Sequence, residues 1–347
     1  MVNPIQAKHI PVSPSVALDM MSELGNRIKS VVPETNLVIG FAETATAIGG
    51  MVALSLSENC NYIQTTRENV FGVNDYVFFS EEHSHATEQK LVSDNLEDLF
   101  SSTKSIILVD DEFSTGKTLL NIVNKLKEKF PQIQDKRIVA ASVINRLSDD
   151  NMKTMSENKI DMIYLLKIDN NKYVDSVNNI SPAFPVKIGE SKTKGNVEFM
   201  HHVFSEPRKG ISVSSLYENS IQLSNKILKK YNMENKSVLV LGTEECMLPA
   251  LFVGREIEKN ANPTIVRSHA TTRSPIGVLN ENDYPIKTGY QIKSFYDKDR
   301  TTFIYNEDRY DFIFIITDAP NDKNNAFKDI VTIFQNKGCR NFIFIGG

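Results

Sequence analysis

The chain has 347 residues, enough for two domains, and its 41% hydrophobic and 24% charged residues are the balance of a globular protein, not a disordered one. A net charge of −4 without a basic block leaves no footprint for nucleic acid, and no apolar run approaches the roughly 20 residues of a membrane span. Cys60, Cys246 and Cys339 are odd in number, scattered and without metal-ligand spacing, and the N-terminus lacks a charged-then-apolar leader, so the expected setting is the reducing cytoplasm.

Ser15 reads as the cap of a first helix carrying Val16, Met20, Met21, Leu24 and Ile28 at helical spacing, an element for packing or for a hood. Residues 37–54, LVIGFAETATAIGGMVAL, then read as strand, loop and helix. Leu37 to Ile39 form the strand, Gly40 opens the loop, and the helix starts at Thr46. Gly40, Glu43, Thr44 and Thr46 at a strand's carboxyl end suit a polar ligand. A second strand from Tyr62 ends in Thr65, Thr66 and Arg67, and an arginine there can clamp phosphate oxygens with two bonds. Residues 68–90 read as mostly loop, with His83 and His85 on one side of any extended segment. A zinc site at this pair would need further ligands at conventional spacing, and the sequence offers none.

Residues 106–118, IILVDDEFSTGKT, carry the strongest signal. Ile106 to Val109 read as a buried strand with Asp110 and Asp111 at its end, and a small-residue loop, Ser114-Thr115-Gly116-Lys117-Thr118, rolls into a helix. Backbone N–H groups of such a loop can hold a phosphate dianion, helped by the hydroxyls of Ser114, Thr115 and Thr118. Gly116 lets the main chain approach closely. The two carboxylates would repel a phosphate; they suit vicinal ribose hydroxyls, reached directly or through Mg²⁺ and its waters. The run is not a Walker A loop, because Asp111 stands where that loop needs its first glycine. Nor is it the acid pair of a receiver domain, whose third aspartate is missing from the later strand ending at Leu166.

A strand over 137–145, a polar helix near 149–157 and a strand over 161–168 complete a parallel sheet with helices on both faces. Residues 169–215 lose periodicity and read as a connector. The C-terminal third repeats the earlier grammar: strand and Gly-Thr-Glu-Glu loop with Glu244, helix, a strand ending Thr271-Thr272-Arg273, and an apolar strand ending in Asp318. Gly40 to Thr65 and Gly242 to Thr271 span 25 and 29 residues; Thr65 to Asp110 and Thr271 to Asp318 span 45 and 47. A degenerate duplication follows, and its second copy lacks the hydroxyl loop, since Ala319, Pro320 and Asn321 come after Asp318.

The 13 residues from Ile106 to Thr118 resemble the 5-phosphoribosyl 1-pyrophosphate (PRPP) motif of type I phosphoribosyltransferases. Together with GFAETAT, TTRE, SEEHSHAT and the TTRSP of 271–275, they resemble the members of that family fused to a TRSP domain, found with bacterial tellurium-resistance gene clusters. The resemblance implies an α/β fold with a phosphoribosyltransferase-like parallel sheet over residues 1–180, a connector over 181–215, and a second α/β domain over 216–347. It implies an enzyme, a glycosyltransferase that moves 5-phosphoribosyl from PRPP to or from a base-like acceptor, with Mg²⁺, in making a nucleoside-like metabolite. Asp110 and Asp111 would then hold ribose hydroxyls and metal, and Ser114 to Thr118 the 5′-phosphate. Glu43, Thr44, Ala45, Thr46 and Arg67 would face pyrophosphate, Arg67 at the leaving group, with His83 and His85 in a lid. Ser114 stands where some purine-using relatives carry an aspartate acting on the base, which puts that general acid/base role in doubt. Glu244, Thr272, Arg273 and Ser274 are second-domain candidates, either for an acceptor pocket with Arg273 as anion clamp or for docking a partner. A homodimer is the family expectation. The other reading of the same residues is a PRPP-sensing protein without turnover.

Overall fold

The computed structural model describes residues 3–73, 76–79, 89–168, 182–189, 195–281, 283–320 and 325–347. The expected pair His83 and His85 lies outside them. The chain divides into two compact units: Met21–Val177 with Ser205–Leu216, and Met1–Met20 with Asn178–Phe204 and Tyr217–Gly347. The described helices include none long and apolar enough to cross a membrane.

After α1 (Pro14–Val31), the first unit runs β1 (Leu37–Gly40), α2 (Ala45–Leu56), β2 (Asn61–Gln64), β3 (Tyr76–Phe79), β4 (Gln89–Val92) and α3 (Leu96–Ser102). It continues with β5 (Ser105–Phe113), α4 (Lys117–Lys129), β6 (Arg137–Asn145), α5 (Asp149–Glu157) and β7 (Ile160–Lys167). The strand order is β2-β1-β5-β6-β7, all parallel, with β10 (Ile211–Ser212) antiparallel on the β2 edge. Leu37, Ile39, Ile106, Leu108, Ile138 and Ala140 alternate onto one face and pack with Leu119, Ile122, Val123 and Leu126 of α4 and Met155 of α5. On the other face α2 rests close against β1: a Cβ on Gly49 would stand 2.8 Å from the Gly40 Cα. The expected helix over 149–157 is present, and the Ser148 side chain accepts from the Asn151 N–H at 3.3 Å.

Two expectations change. The strand expected to close before Asp110 continues to Phe113, because β6 goes on offering partners after β1 has ended at the Gly40–Val109 pair. Asp110 pairs with Ser142 and Phe113 with Asn145, so among the described residues the acids sit on a strand extension paired with β6. The stretch 68–90, expected as loop, contains the antiparallel β3–β4 hairpin. Its apolar side, Val77, Phe79 and Leu91, joins the α4 core, and Lys125 and Lys129 donate to the carbonyls of Phe78 and Tyr76.

In the second unit the order is β12 (Ile265–Ala270), β11 (Ser237–Gly242), β15 (Phe312–Ile316), β16 (Asn341–Gly346) and β9 (Asn196–His201), again all parallel. α6 (Val213–Lys230) and α7 (Leu248–Asn260) cover Val238, Val240, Phe314 and Ile343. α8 (Ala326–Asn336) covers Leu239, Leu241, Ile313 and Ile315 on the opposite face. A hairpin of β13 (Gly289–Lys293) and β14 (Thr301–Tyr305), with β8 (Val186–Lys187) beside β13, falls between β12 and β15 in the chain, as β3–β4 falls between β2 and β5. The residues read as a connector thus contribute β8, β9 and β10.

The repeat holds bond by bond. Gly40 accepts from the Thr65 N–H at 2.9 Å, and Gly242 from the Thr271 N–H at 3.1 Å. Thr66 exchanges both backbone bonds with Lys90 of β4, and Thr272 with Phe303 of β14. Gly40 faces Val109 and Gly242 faces Ile316, so the register matches Asp318 to Asp111 and corrects the pairing with Asp110 expected from the spacing.

Candidate active site

The extension of β5 and the loop after it line a cavity of about 120 Å³ at the carboxyl end of the first sheet. Asp110, Ser114, Thr115, Gly116 and Thr118 meet there, with Phe41, Gln89, Glu112, Phe113, Leu119 and Ile122 completing the wall. Asp111, Lys117, Arg67 and the 43–46 loop are not part of its lining. Glu112 and Gln89 were not singled out from the sequence. Glu112 had a usable signal, since i and i+2 share a face once the strand is known to continue. Its carboxylate is paired with the Arg146 guanidinium.

Gly116 makes the turn from this strand into α4. Its φ is +77°, and a Cβ there would stand 2.4 Å from the Met155 Cε and 3.1 Å from a Leu147 methyl. The side chains of Ser114, Thr115 and Lys117 are exposed at the mouth, and α4 begins at Lys117 with its first N–H groups facing the loop. Strand acids on one side and a hydroxyl-rich helix entry on the other separate the two charges such a site must hold.

The Gly40–Thr46 loop is fixed from behind. Thr65 Oγ1 accepts from the Ala42 N–H at 2.8 Å and donates to Gln89 Oε1 at 2.8 Å, and Gln89 Nε2 donates to the Ala42 carbonyl at 2.9 Å. The ring is buried and closed, so the three residues brace one another. Thr46 Oγ1 donates to the Glu43 carbonyl, and Tyr62 OH donates to the Thr46 carbonyl at 2.6 Å. The Ala42–Glu43 peptide is cis. Arg67 follows Thr66, which the β4 strand holds in place.

Of the second-unit candidates, Arg273 pairs with the fully buried Glu244 at 3.3 Å, while Thr272, also buried, accepts from the Ser274 N–H at 3.2 Å. Ser274 gives its carbonyl to Tyr305 OH at 2.7 Å. Around Glu244 the structure adds Ser294 and Arg300, which sequence spacing had not flagged.

Among the described residues no group of three or more His, Cys, Asp or Glu is arranged to hold a metal. Mg²⁺ asks for less, since one or two carboxylates suffice when substrate phosphates and waters complete its octahedron. Asp110 and Asp111 are hard oxygen donors that fit that demand. Burial pushes the Asp111 carboxyl above the usual carboxylate range; the Asp110 side chain opposes this and the Glu112 charge adds to it. Above that raised value the folded state carries a poorly hydrated charge, and the penalty fades as pH falls toward the ordinary carboxylate range. Asp111→Asn is therefore expected to raise the melting temperature by about 1–3 °C at pH 7, with no gain at pH 3.5. Thermal melts at both pH values check this; an equal shift at both would remove the buried charge as its cause.

Residues 1–169 match the family described as "Phosphoribosyl transferase", and residues 207–334 match "TRSP domain C terminus to PRTase_2". No curated protein matches the sequence. Among solved structures the chain is similar to adenine phosphoribosyltransferase from Trypanosoma brucei, determined with AMP, pyrophosphate and ribose-5-phosphate, at 15% identity and a TM-score of 0.33. That match covers 44% of this chain and 65% of the other, so the chain spans a little under two thirds of that relative. The Giardia lamblia enzyme with 9-deazaadenine matches at 18% identity and a TM-score of 0.36, covering 44% and 81%. Orotate phosphoribosyltransferase from Aeropyrum pernix matches at 16% and 0.27, covering 47% and 75%.

Proposed function

We propose, for a chain that belongs to the phosphoribosyltransferases carrying a C-terminal TRSP domain, that the first unit displaces pyrophosphate from C1 of PRPP with a base-like acceptor. The observation that carries this reading is the cavity shared by Asp110 and the Ser114–Thr118 loop, carboxylate at one end and helix entry at the other. The loop N–H groups and the Ser114, Thr115 and Thr118 hydroxyls take the 5′-phosphate. Asp110 and Asp111 accept hydrogen bonds from the ribose hydroxyls and orient C1. The 43–46 loop and Arg67 hold the pyrophosphate, whose C1–O bond breaks with its electron pair as the acceptor atom bonds to C1. Charge at C1 is oxocarbenium-like in such a displacement, and the nearby carboxylates stabilise it. Mg²⁺ bound at the two aspartates would neutralise the departing diphosphate. The β3–β4 hairpin is tied through Gln89 to the Ala42 carbonyl, which fixes the start of β4 beside the 43–46 loop. We assign the product to a nucleoside-like metabolite of tellurium-resistance and stress-response clusters. The working form is a cytoplasmic protein, as a homodimer, without nucleic-acid or membrane partners.

Calorimetry of PRPP with Mg²⁺, beside assay of released pyrophosphate, tests the reading on wild type and Asp110→Asn/Asp111→Asn. The expected result is a loss of affinity of about 100-fold or more in the variant and slow release from wild type. Binding that survives both substitutions refutes the assignment of the central site. Tight binding without release, even with a metabolite extract as acceptor source, makes the protein a PRPP sensor.

A further inference from the structure

We propose that the second unit contains a closed anion site in which the Glu244 carboxylate occupies the place of pyrophosphate, so that one chain binds one donor molecule. The inference rests on the reading of residues 43–46 and Arg67 as the pyrophosphate end of the first site.

The equivalence is set by hydrogen bonds. Thr65 Oγ1 accepts from the Ala42 N–H, and Thr271 Oγ1 accepts from the Glu244 N–H at 3.0 Å. Glu244 therefore stands at the position of Ala42, and Arg273 at the position of Arg67, each arginine directly after a threonine tied to its hairpin. Where the first unit has a methyl group, the second has a carboxylate that is fully buried. Its Oε1 accepts from Ser294 Oγ at 2.7 Å and from the Phe295 N–H at 3.2 Å. Its Oε2 accepts from Arg300 at 2.9 Å and from Arg273 Nε at 3.3 Å. Two guanidinium groups, a hydroxyl and a backbone N–H converging on one point are the donors a diphosphate would demand.

The backbone is arranged to deliver that carboxylate. Glu244 has φ +46°, a region that disfavours residues with a side chain, and it is held there by a buried lysine. Lys8 Nζ donates to the carbonyls of Glu244 at 2.7 Å and Thr271 at 3.0 Å, doing for this turn what Gln89 does for Ala42. Arg273 also lies 3.6 Å from Glu245, and Asp318, the counterpart of Asp111, is engaged by Tyr296 OH. A tethered carboxylate competes at a high effective concentration, so free diphosphate at millimolar levels does not displace it. The 5′-phosphate end is also gone, since Asn321 to Asn325, which match Ser114 to Thr118 in the sequence, supply neither hydroxyl nor glycine.

The experiment counts pyrophosphate sites per full-length chain by calorimetry, with Mg²⁺ present, in wild type, Glu244→Ala and Glu244→Gln. The expected counts are one for wild type and two for Glu244→Ala, the added site vanishing when Arg300→Gln is combined with it. Glu244→Gln keeps the shape and loses the charge, so it is expected to open the same site at about tenfold weaker affinity. It also serves as the readout if the alanine variant does not fold. The inference is judged on the gain between wild type and variant, and the assignment of the first site on the wild-type count alone. Two sites in wild type, or no gain in a folded Glu244 variant, overturns the closed site. Zero in wild type with one gained overturns only the first assignment.

Discussion

Gly116→Val is expected to lower stability by about 2–4 kcal/mol and to weaken PRPP binding by at least about tenfold. Two causes act together. The φ of +77° is one a β-branched residue strongly resists. The new Cβ would also meet the Met155 Cε at 2.4 Å, inside a core that has little room to give. The methionine tip can move aside; the backbone angle cannot be relieved without turning the Ser114–Thr118 loop. Gly116→Val/Met155→Ala separates the two causes, restoring space but not the angle. Melting curves and PRPP calorimetry on both variants provide the check, and restored affinity in the double variant would show that packing, not backbone direction, sets the loop.

The second large effect is a loss of stability in mild acid that traces to His269. This residue is buried in β12, its Nε2–H donating to the Tyr305 carbonyl at 2.8 Å. Burial pushes its imidazole down to about 4; the Tyr305 carbonyl opposes that, and the Lys8 charge reinforces it. Between the ordinary histidine value near 6.5 and about 4, the unfolded chain takes up a proton that the folded chain does not. Stability from this group is therefore complete above pH 6.5 and lost as pH falls, about 3 kcal/mol in all by pH 4. His269→Gln keeps an N–H for the carbonyl and does not titrate. Its denaturation midpoint is expected to change much less than that of wild type between pH 7 and pH 4.5. Parallel urea titrations at the two pH values decide it; matching slopes would absolve the histidine.

What could be read in advance followed the strength of local pattern. Apolar runs such as RIVAASVIN mark interior parallel strands, and the strand over 137–145 lies where that run places it. The end of β5 was hidden because Asp110, Asp111 and Glu112 are residues that sequence patterns assign to loops. Pairing with β6 overrides that tendency, and such pairing is long-range information. Gln89 was silent for a related reason. Its importance comes from meeting Thr65 and Ala42 in space, 24 and 47 residues away. Arg300 and Ser294 were hidden likewise, reaching Glu244 from a hairpin whose short strands carry little periodicity. The internal repeat was legible because its signal, glycine after a strand and Thr-Thr-Arg after the next, survives in residue types and spacing alike.

Both flanks of the second sheet are supplied by residues that precede position 207 in the chain. Val12 exchanges backbone bonds with Ser268 along β12, and β9 runs in register beside β16 from Asn196–Asn341 to His201–Gly346. A recombinant fragment cut at the start of the TRSP match would shed both covers at once. It would expose the unpaired N–H and C=O groups of β16, whose sequence NFIFIG is short, apolar and uncharged. Such an edge templates strand-to-strand aggregation. Insolubility of that fragment would thus report a missing border, and adding residues 3–13 and 195–206 is the remedy its architecture prescribes.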